Sequence, residues 1–213
     1  MTERHYEVTD PDAEDWYSIA SQVVMIRDGV PEEIEGLTPD RFTLVAPTGN
    51  LVAWPVDPGT TVTDLDRKPR HIVPYGGATA WSDDGRWLAG IAGDVVWLLE
   101  ATTGRLDELE LSGARELYWS PDGRHLAVEQ RCTSSSTAGH GSELRFYEDT
   151  GRWNEMYVEP CAEQRWIDWT PDGEGFARQS QEDDIDGLRV VSIENGQTGP
   201  FIERHGQAFR PEP

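Results

Sequence analysis

Apolar residues along this chain come in short runs, and each run is closed by Gly, Pro, Asp, Asn or Thr. The clearest succession is ATAWS (78–82), the turn DDGR, WLAGIAG (87–93), DVVWLLE (94–100), the turn ATTG and RLDELEL (105–111). It predicts four antiparallel strands joined by tight hairpins. In the last strand Leu106, Leu109 and Leu111 alternate imperfectly, but the pattern is strand-like. The same succession returns in ELYWS, HLAVEQ, ELRFYED, TGR and WNEMYVE, and again in RWIDWT, GFARQS, LRVVSIE, NGQTG and PFIER. Upstream, RFTLVA, LVAWPV, TTVTDLD and HIVPY form a weaker version.

The hairpins repeat in sequence as well as in pattern. AWSDDGRWLAG (80–90), YWSPDGRHLAV (118–128) and DWTPDGEGFAR (168–178) share Trp, Ser or Thr, an acidic turn, Gly and a small apolar strand. Pro-Asp-Gly supplies a fixed φ, a side-chain acceptor and a residue tolerant of positive φ, in the order a tight turn needs. Ala89, Ala127 and Ala177 let the second strand approach a neighbouring sheet, and Trp81, Trp119 and Trp169 fill the space between sheets. The turn glycines Gly85, Gly123 and Gly173 lie 38 and 50 residues apart, and Gly49 lies 36 before Gly85. HYEVTDPDAEDWYSIA reads as a degenerate further copy with its turn at Asp10–Asp12. A period in this range belongs to the blades of a β-propeller, whose sheets cover one another when stacked radially.

The stretch Trp-Ser-Pro-Asp-Gly-Arg-His-Leu-Ala (119–127) resembles the repeat of TolB-type, WD-repeat-like β-propellers. The resemblance implies an all-β fold, a central channel and a partner-binding face, and names no function. The expected architecture is a single propeller domain over 1–213, with about five four-stranded blades near 4–36, 40–75, 77–112, 114–160 and 163–205. In the alternative there are four blades, and PDAEDWYSIASQVVMI, with acids in its first turn, forms an N-terminal helix.

Composition narrows the partners. A formal net charge of −22 and a pI near 4.4 set the chain against DNA, RNA and anionic lipid, which leaves neutral or basic partners. No run approaches 18 apolar residues, so membrane insertion is not expected. The first residues, MTERHYEVTDPDAEDWYS, lack the apolar core of a leader, and a cytoplasmic location is the expectation. Cys132 and Cys161 then read as free thiols. Their predicted places, ending a second strand and following a fourth, are not adjacent, and a disulfide would need the loop ends to meet.

Candidate chemistry is sparse. There is no G-x-S-x-G, and the nearest approach, AGHGSE (138–143), lies in a Ser-rich insertion between two strands. That insertion, with His140, reads as a polar loop that could contact a partner. The five histidines are scattered, so no metal site and no cofactor is expected. QEDDIDG (181–187) gathers acids before a glycine without the full spacing of a calcium loop. Glu116 and Asp168 fall in first strands and are the candidate acids of a channel-site hydrolase or lyase. Arg41, Arg115 and Arg165 each begin a first strand, which in a propeller gathers them at one mouth as a positive spot for a carboxylate or acidic peptide. Tyr75 and Trp166 would add an aromatic rim. The leading reading is a non-catalytic protein–protein interaction module, a scaffold or accessory subunit. The alternatives are the hydrolase or lyase and a sensor of a small anionic ligand.

Overall fold

The computed structural model describes residues 24–27, 30–33, 43–56, 58–66, 68–132, 141–162, 166–182 and 185–203. Eighteen strands follow in chain order. A hairpin comes first, β1 (Val24–Arg27) and β2 (Val30–Glu33). The first four-stranded sheet holds β3 (Leu44–Val45), β4 (Leu51–Val56), β5 (Gly59–Asp64) and β6 (Pro69–Val73). The second holds β7 (Ala78–Trp81), β8 (Trp87–Ala92), β9 (Val95–Glu100) and β10 (Leu106–Glu110). The third holds β11 (Ala114–Trp119), β12 (His125–Arg131), β13 (Ser142–Asp149) and β14 (Trp153–Ala162). The fourth holds β15 (Trp166–Trp169), β16 (Gly175–Glu182), β17 (Ile185–Ser192) and β18 (Thr198–Glu203).

Each sheet is an antiparallel meander whose spatial order follows the sequence, and these are the four sheets that the hydrophobic pattern predicts. Among the described residues there is no helix, and so none long and apolar enough to cross a membrane. The N-terminal helix of the four-blade alternative meets a strand at its end, over residues 24–26; its earlier residues lie outside those described. By compactness the chain divides into two units, Met1–Ala78 and Thr79–Pro213.

The repeated turn explains the hairpins atom by atom. Ser82 donates its hydroxyl to Asp84 Oδ1 at 2.6 Å and accepts the Trp87 N–H at 2.9 Å, while Asp84 Oδ1 also accepts the Arg86 N–H at 2.9 Å. Ser120, Asp122, Arg124 and His125 make the same three bonds, as do Thr170, Asp172, Glu174 and Gly175. The glycines at 85, 123 and 173 take φ of 68°, 68° and 72°, a region open to Gly without penalty. In the first four-stranded sheet Ala46 stands where the others have Ser or Thr. The backbone bond from Gly49 N–H to Ala46 O remains at 2.8 Å, but no hydroxyl is present to reinforce it.

In the second unit the turns also stack from sheet to sheet. A Cβ at Gly123 would fall 2.8 Å from the Asp84 carboxyl carbon, and one at Gly173 would fall 3.1 Å from Asp122 Oδ1. Trp119 reaches back to donate its indole N–H to Ala80 O at 3.4 Å, and Trp169 does the same to Tyr118 O at 3.3 Å. Around these contacts lie two cores. Trp87, Ala89, Val96 and Leu98 meet Leu117, Leu126, Val128, Tyr147 and Trp153. Beyond them Ala127, Leu144 and Phe146 meet Trp169, Phe176, Val191 and Ile193. Trp153 stands edge-on to Trp87 at 5.1 Å, and Phe146 stacks on Phe176 at 4.7 Å. Phe146 and Phe176 are fully buried, which is worth about 1.5–3 kcal/mol each. His125, Leu126, Ala127 and Val128 are all buried, as a sheet covered on both faces requires. In the first unit a smaller cluster forms around Val52, with Val45, Trp54 and Leu65.

The cysteines correct the expectation of free thiols. Cys132 and Cys161 are joined by a disulfide with Cα atoms 5.8 Å apart. The reason is the length of β14. The sequence pattern ends that strand at Glu159, but it continues for ten residues to Ala162, and this carries Cys161 along β13 toward the end of β12.

Candidate functional site

The described end of the third sheet brings together the features that can recognise a partner. β11 meets β12 through a bulge: Ala114 pairs with Gln130 and Glu116 with Glu129, which leaves Arg115 as the extra residue. Arg115 is exposed and has no acid partner among the described residues. On the adjacent strand the Arg131 N–H bonds Gly113 O at 3.0 Å, and the Arg131 side chain is likewise exposed and without an acid partner among the described residues. Beside them a cleft of about 250 Å³ opens between the end of β10 and the ends of β12–β14. Arg131, Gln130, Ser112 and both cysteines line it, with Glu110 on one side and the Glu143–Arg145 pair on the other. Gln130 donates its amide to Ser112 O at 2.9 Å and so ties the cleft wall to the preceding sheet connection.

A second polar group runs across the strands of the third sheet. Tyr118 donates its hydroxyl to Glu116 and lies 3.2 Å from Glu129, which also accepts the Ser142 hydroxyl. Burial, then the Glu116 bond and the Glu129 charge, push the Tyr118 phenol up and keep it protonated. Tyr157 donates to Glu159 at 2.5 Å, and the same buried carboxylate pairs with Arg178 of the next sheet. The two carboxylates of Glu116 and Glu129 converge on one phenol.

The sequence-predicted residues separate. Arg115 is the second residue of β11. Arg41, Arg165 and His140 lie outside the described residues, so Arg115 is the described member of the expected arginine mouth. Trp166 opens β15, its backbone opposite Arg178. Tyr75 follows β6 in the first unit, half-buried, and its carbonyl accepts the Thr60 hydroxyl at 2.8 Å. Glu116 is engaged by Tyr118, whereas Asp168 accepts the backbone N–H of Trp169 at 2.8 Å, so the two acids serve different partners. Within 181–187, β16 and β17 pair Gln181 with Asp186, Asp183 and Asp184 lie outside the described residues, and no group of three metal-ligating side chains occurs among the described residues.

Sequence reasoning missed a charged clamp at the opposite end of the second and third sheets. Arg86 bonds Glu100 at 2.9 Å and Asp149 at 3.2 Å. Arg105 bonds Asp149 at 2.9 Å and Gly151 O at 2.9 Å. Both guanidinium groups lie over Trp87, at 5.5 and 4.9 Å from its ring. The Thr103 hydroxyl and then the Arg86 guanidinium hold the Glu100 carboxyl below its ordinary range, against a burial penalty that pushes the other way. The available signal was Arg one place after the turn glycine in two of the copies, at Arg86 and Arg124.

No protein-family description matches this chain, and no curated protein does. Solved structures do match in fold. A eukaryotic initiation factor aligns over 85% of this chain and 50% of its own, with 15% identity and a TM-score of 0.54. The tricorn protease aligns over 76% of this chain and 18% of its own, with 13% identity and a TM-score of 0.55. The β-propeller domain of Myceliophteria thermophila Cps50 (Swd1) aligns over 73% of this chain and 53% of its own, with 15% identity and a TM-score of 0.50. The chain therefore spans about half the length of the initiation factor and Swd1 structures, and the likeness is one of fold: all-β, of the β-propeller kind.

Proposed function

We propose that this chain is a non-catalytic interaction module, a scaffold or accessory subunit of a protein assembly, built as a TolB-type or WD-repeat-like propeller domain of about five blades. The observation that carries the reading is the end of β11–β12. Arg86, Arg105, Arg124 and Arg145 are each held by acids, whereas Arg115 and Arg131 are exposed, on neighbouring strands, beside a cleft. On a chain of charge −22, guanidinium groups that make no ion pair among the described residues are suited to a carboxylate from elsewhere. A rigid sheet stack holding such a rim supports a docking role, and the likeness in fold to the Swd1 propeller domain is compatible with one.

The second reading is a channel-site hydrolase or lyase, favoured by the convergence of Glu116, Tyr118 and Glu129. A sensor of a small anionic ligand would use the same arginines as the docking rim. The test is co-purification of the tagged chain at low and high salt, beside a variant carrying Arg115→Glu and Arg131→Glu. A stoichiometric protein partner, weakened by salt and absent from the folded variant, is the expected result. A partner retained by the variant would remove this rim from the interface. Hydrolysis or elimination by the purified chain that is lost in Glu116→Gln would replace the docking reading with the catalytic one.

A further inference from the structure

β14 has ten residues, against five or six in the outer strands β6, β10 and β18. Its far end is poorly supported by the ladder. Leu144 pairs with Glu159 and Ser142 with Ala162, so Pro160 and Cys161 both stand against Glu143 alone. Pro160 has no N–H to give, and the register breaks there. What holds this end is the bond from Cys161 to Cys132, together with the buried Glu159 that pairs with Arg178. Cys132 is in turn anchored through its N–H to Gly141 O at 3.2 Å. The disulfide thus ties the end of the second strand to the end of the fourth, across the start of β13, and both sulfur-bearing residues line the 250 Å³ cleft.

We infer that Cys132–Cys161 is a redox-sensitive clamp that sets the shape of this cleft. Cys161 is partly exposed and Cys132 buried, so a dithiol reductant attacks the Cys161 sulfur from the cleft. The S–S bond breaks, Cys132 leaves as a thiolate and takes a proton, and the second thiol of the reductant displaces Cys161. Two electrons pass to the protein, and the reductant ends as its own disulfide. Once released, the 160–162 end of β14 is held, among the described residues, by the broken ladder. The cleft wall beside Arg131 loosens, and so does the Glu159 contact to the next sheet. The effect on partner affinity rests on the docking reading; the clamp itself does not.

The experiment uses the full chain purified without reductant. Peptide mapping without reduction should recover Cys132 and Cys161 in one linked peptide. Hydrogen exchange is then compared with and without dithiothreitol. Reduction should speed exchange by about tenfold or more at 130–132, 141–144 and 157–162 and leave β8 and β9 unchanged. Cys161→Ser should show the fast exchange without reductant and no further response to it. If that variant does not fold, reduction of the unaltered chain still decides. Two free thiols in the mapped protein, or exchange unchanged by reduction, would overturn the clamp. Partner binding in the same preparations separates the two ideas. Binding that ignores reductant but is lost in Arg131→Glu sinks only the clamp's regulatory role, and an exchange response with no partner sinks only the docking reading.

Discussion

His125 occupies, in the third sheet, the place Trp87 holds in the second, directly after the repeated turn. It is buried, stacked on Trp169 with ring centroids 6.1 Å apart, and its Nδ1 has no hydrogen-bond partner among the described residues. Desolvation pushes its pKa below the ordinary 6.5, and the Asp122 and Glu148 charges only partly offset this. The folded state therefore binds a proton less readily than the unfolded one. Stability is fully present above the unfolded value near 6.5 and is lost as pH falls from there through the lower folded value. The melting temperature should drop between about pH 7 and pH 5, and His125→Phe, which keeps the stack, should flatten that drop. A slope identical in the variant would place the acid sensitivity elsewhere. Asp122 acts further down the scale. Burial raises it, but the Ser120 hydroxyl and the Arg124 N–H outweigh burial and hold it below 3.8, so its contribution is lost only beneath that pH. The Ser or Thr of the motif could be read from the sequence as a recurring letter. Its task could not, since accepting one amide while donating to the aspartate is visible only once both strands are in place.

At the scale of the element, the hairpins could be read from Gly, Asp and the small residues that follow. The ends of outer strands could not, because pairing with β13 extends β14 beyond where its own pattern stops. That single misjudged end hid the disulfide. The rim was half legible: Arg115 could be placed at a strand start, but its freedom from acids depends on where every nearby carboxylate goes. The Arg86–Asp149–Arg105 clamp joins positions 63 and 44 residues apart in sequence, beyond any local pattern. Asp149 is nearly buried, accepts from both arginines and also accepts the Gly151 N–H at 3.0 Å. Asp149→Ala should cost about 1–3 kcal/mol in urea unfolding, with part of the arginine charge relieved by solvent. Asp149→Asn keeps an acceptor for Gly151 and should cost less. Equal losses in the two variants would assign the effect to the charges and not to the turn bond, which Asn retains.

For the whole molecule, a net charge of −22 sets self-repulsion against the local ion pairs. With 40 acidic and 18 basic residues, the compact state gathers charge that the unfolded chain can spread. The described ion pairs offset this only locally. Raising monovalent salt from about 20 to 500 mM shortens the Debye length from roughly 20 Å to about 4 Å and should raise the melting temperature. A fall would show that the clamp and turn ion pairs outweigh the net charge. The same acidity was plain in the composition, and it is why exposed arginines with no ion pair among the described residues, Arg115 and Arg131 at one sheet end, stand out.

The stacked turns have a head and a tail. The turn at 120–123 carries an aspartate that receives Gly173 and a glycine that sits on Asp84, so one hairpin brings both halves of a junction. A gene segment coding for one such sheet can therefore be copied in tandem without any new contact having to evolve. The 38-residue step from Gly85 to Gly123 is the length of such a copy, and arrays of this kind grow or shrink by whole sheets, not by drift in their interfaces.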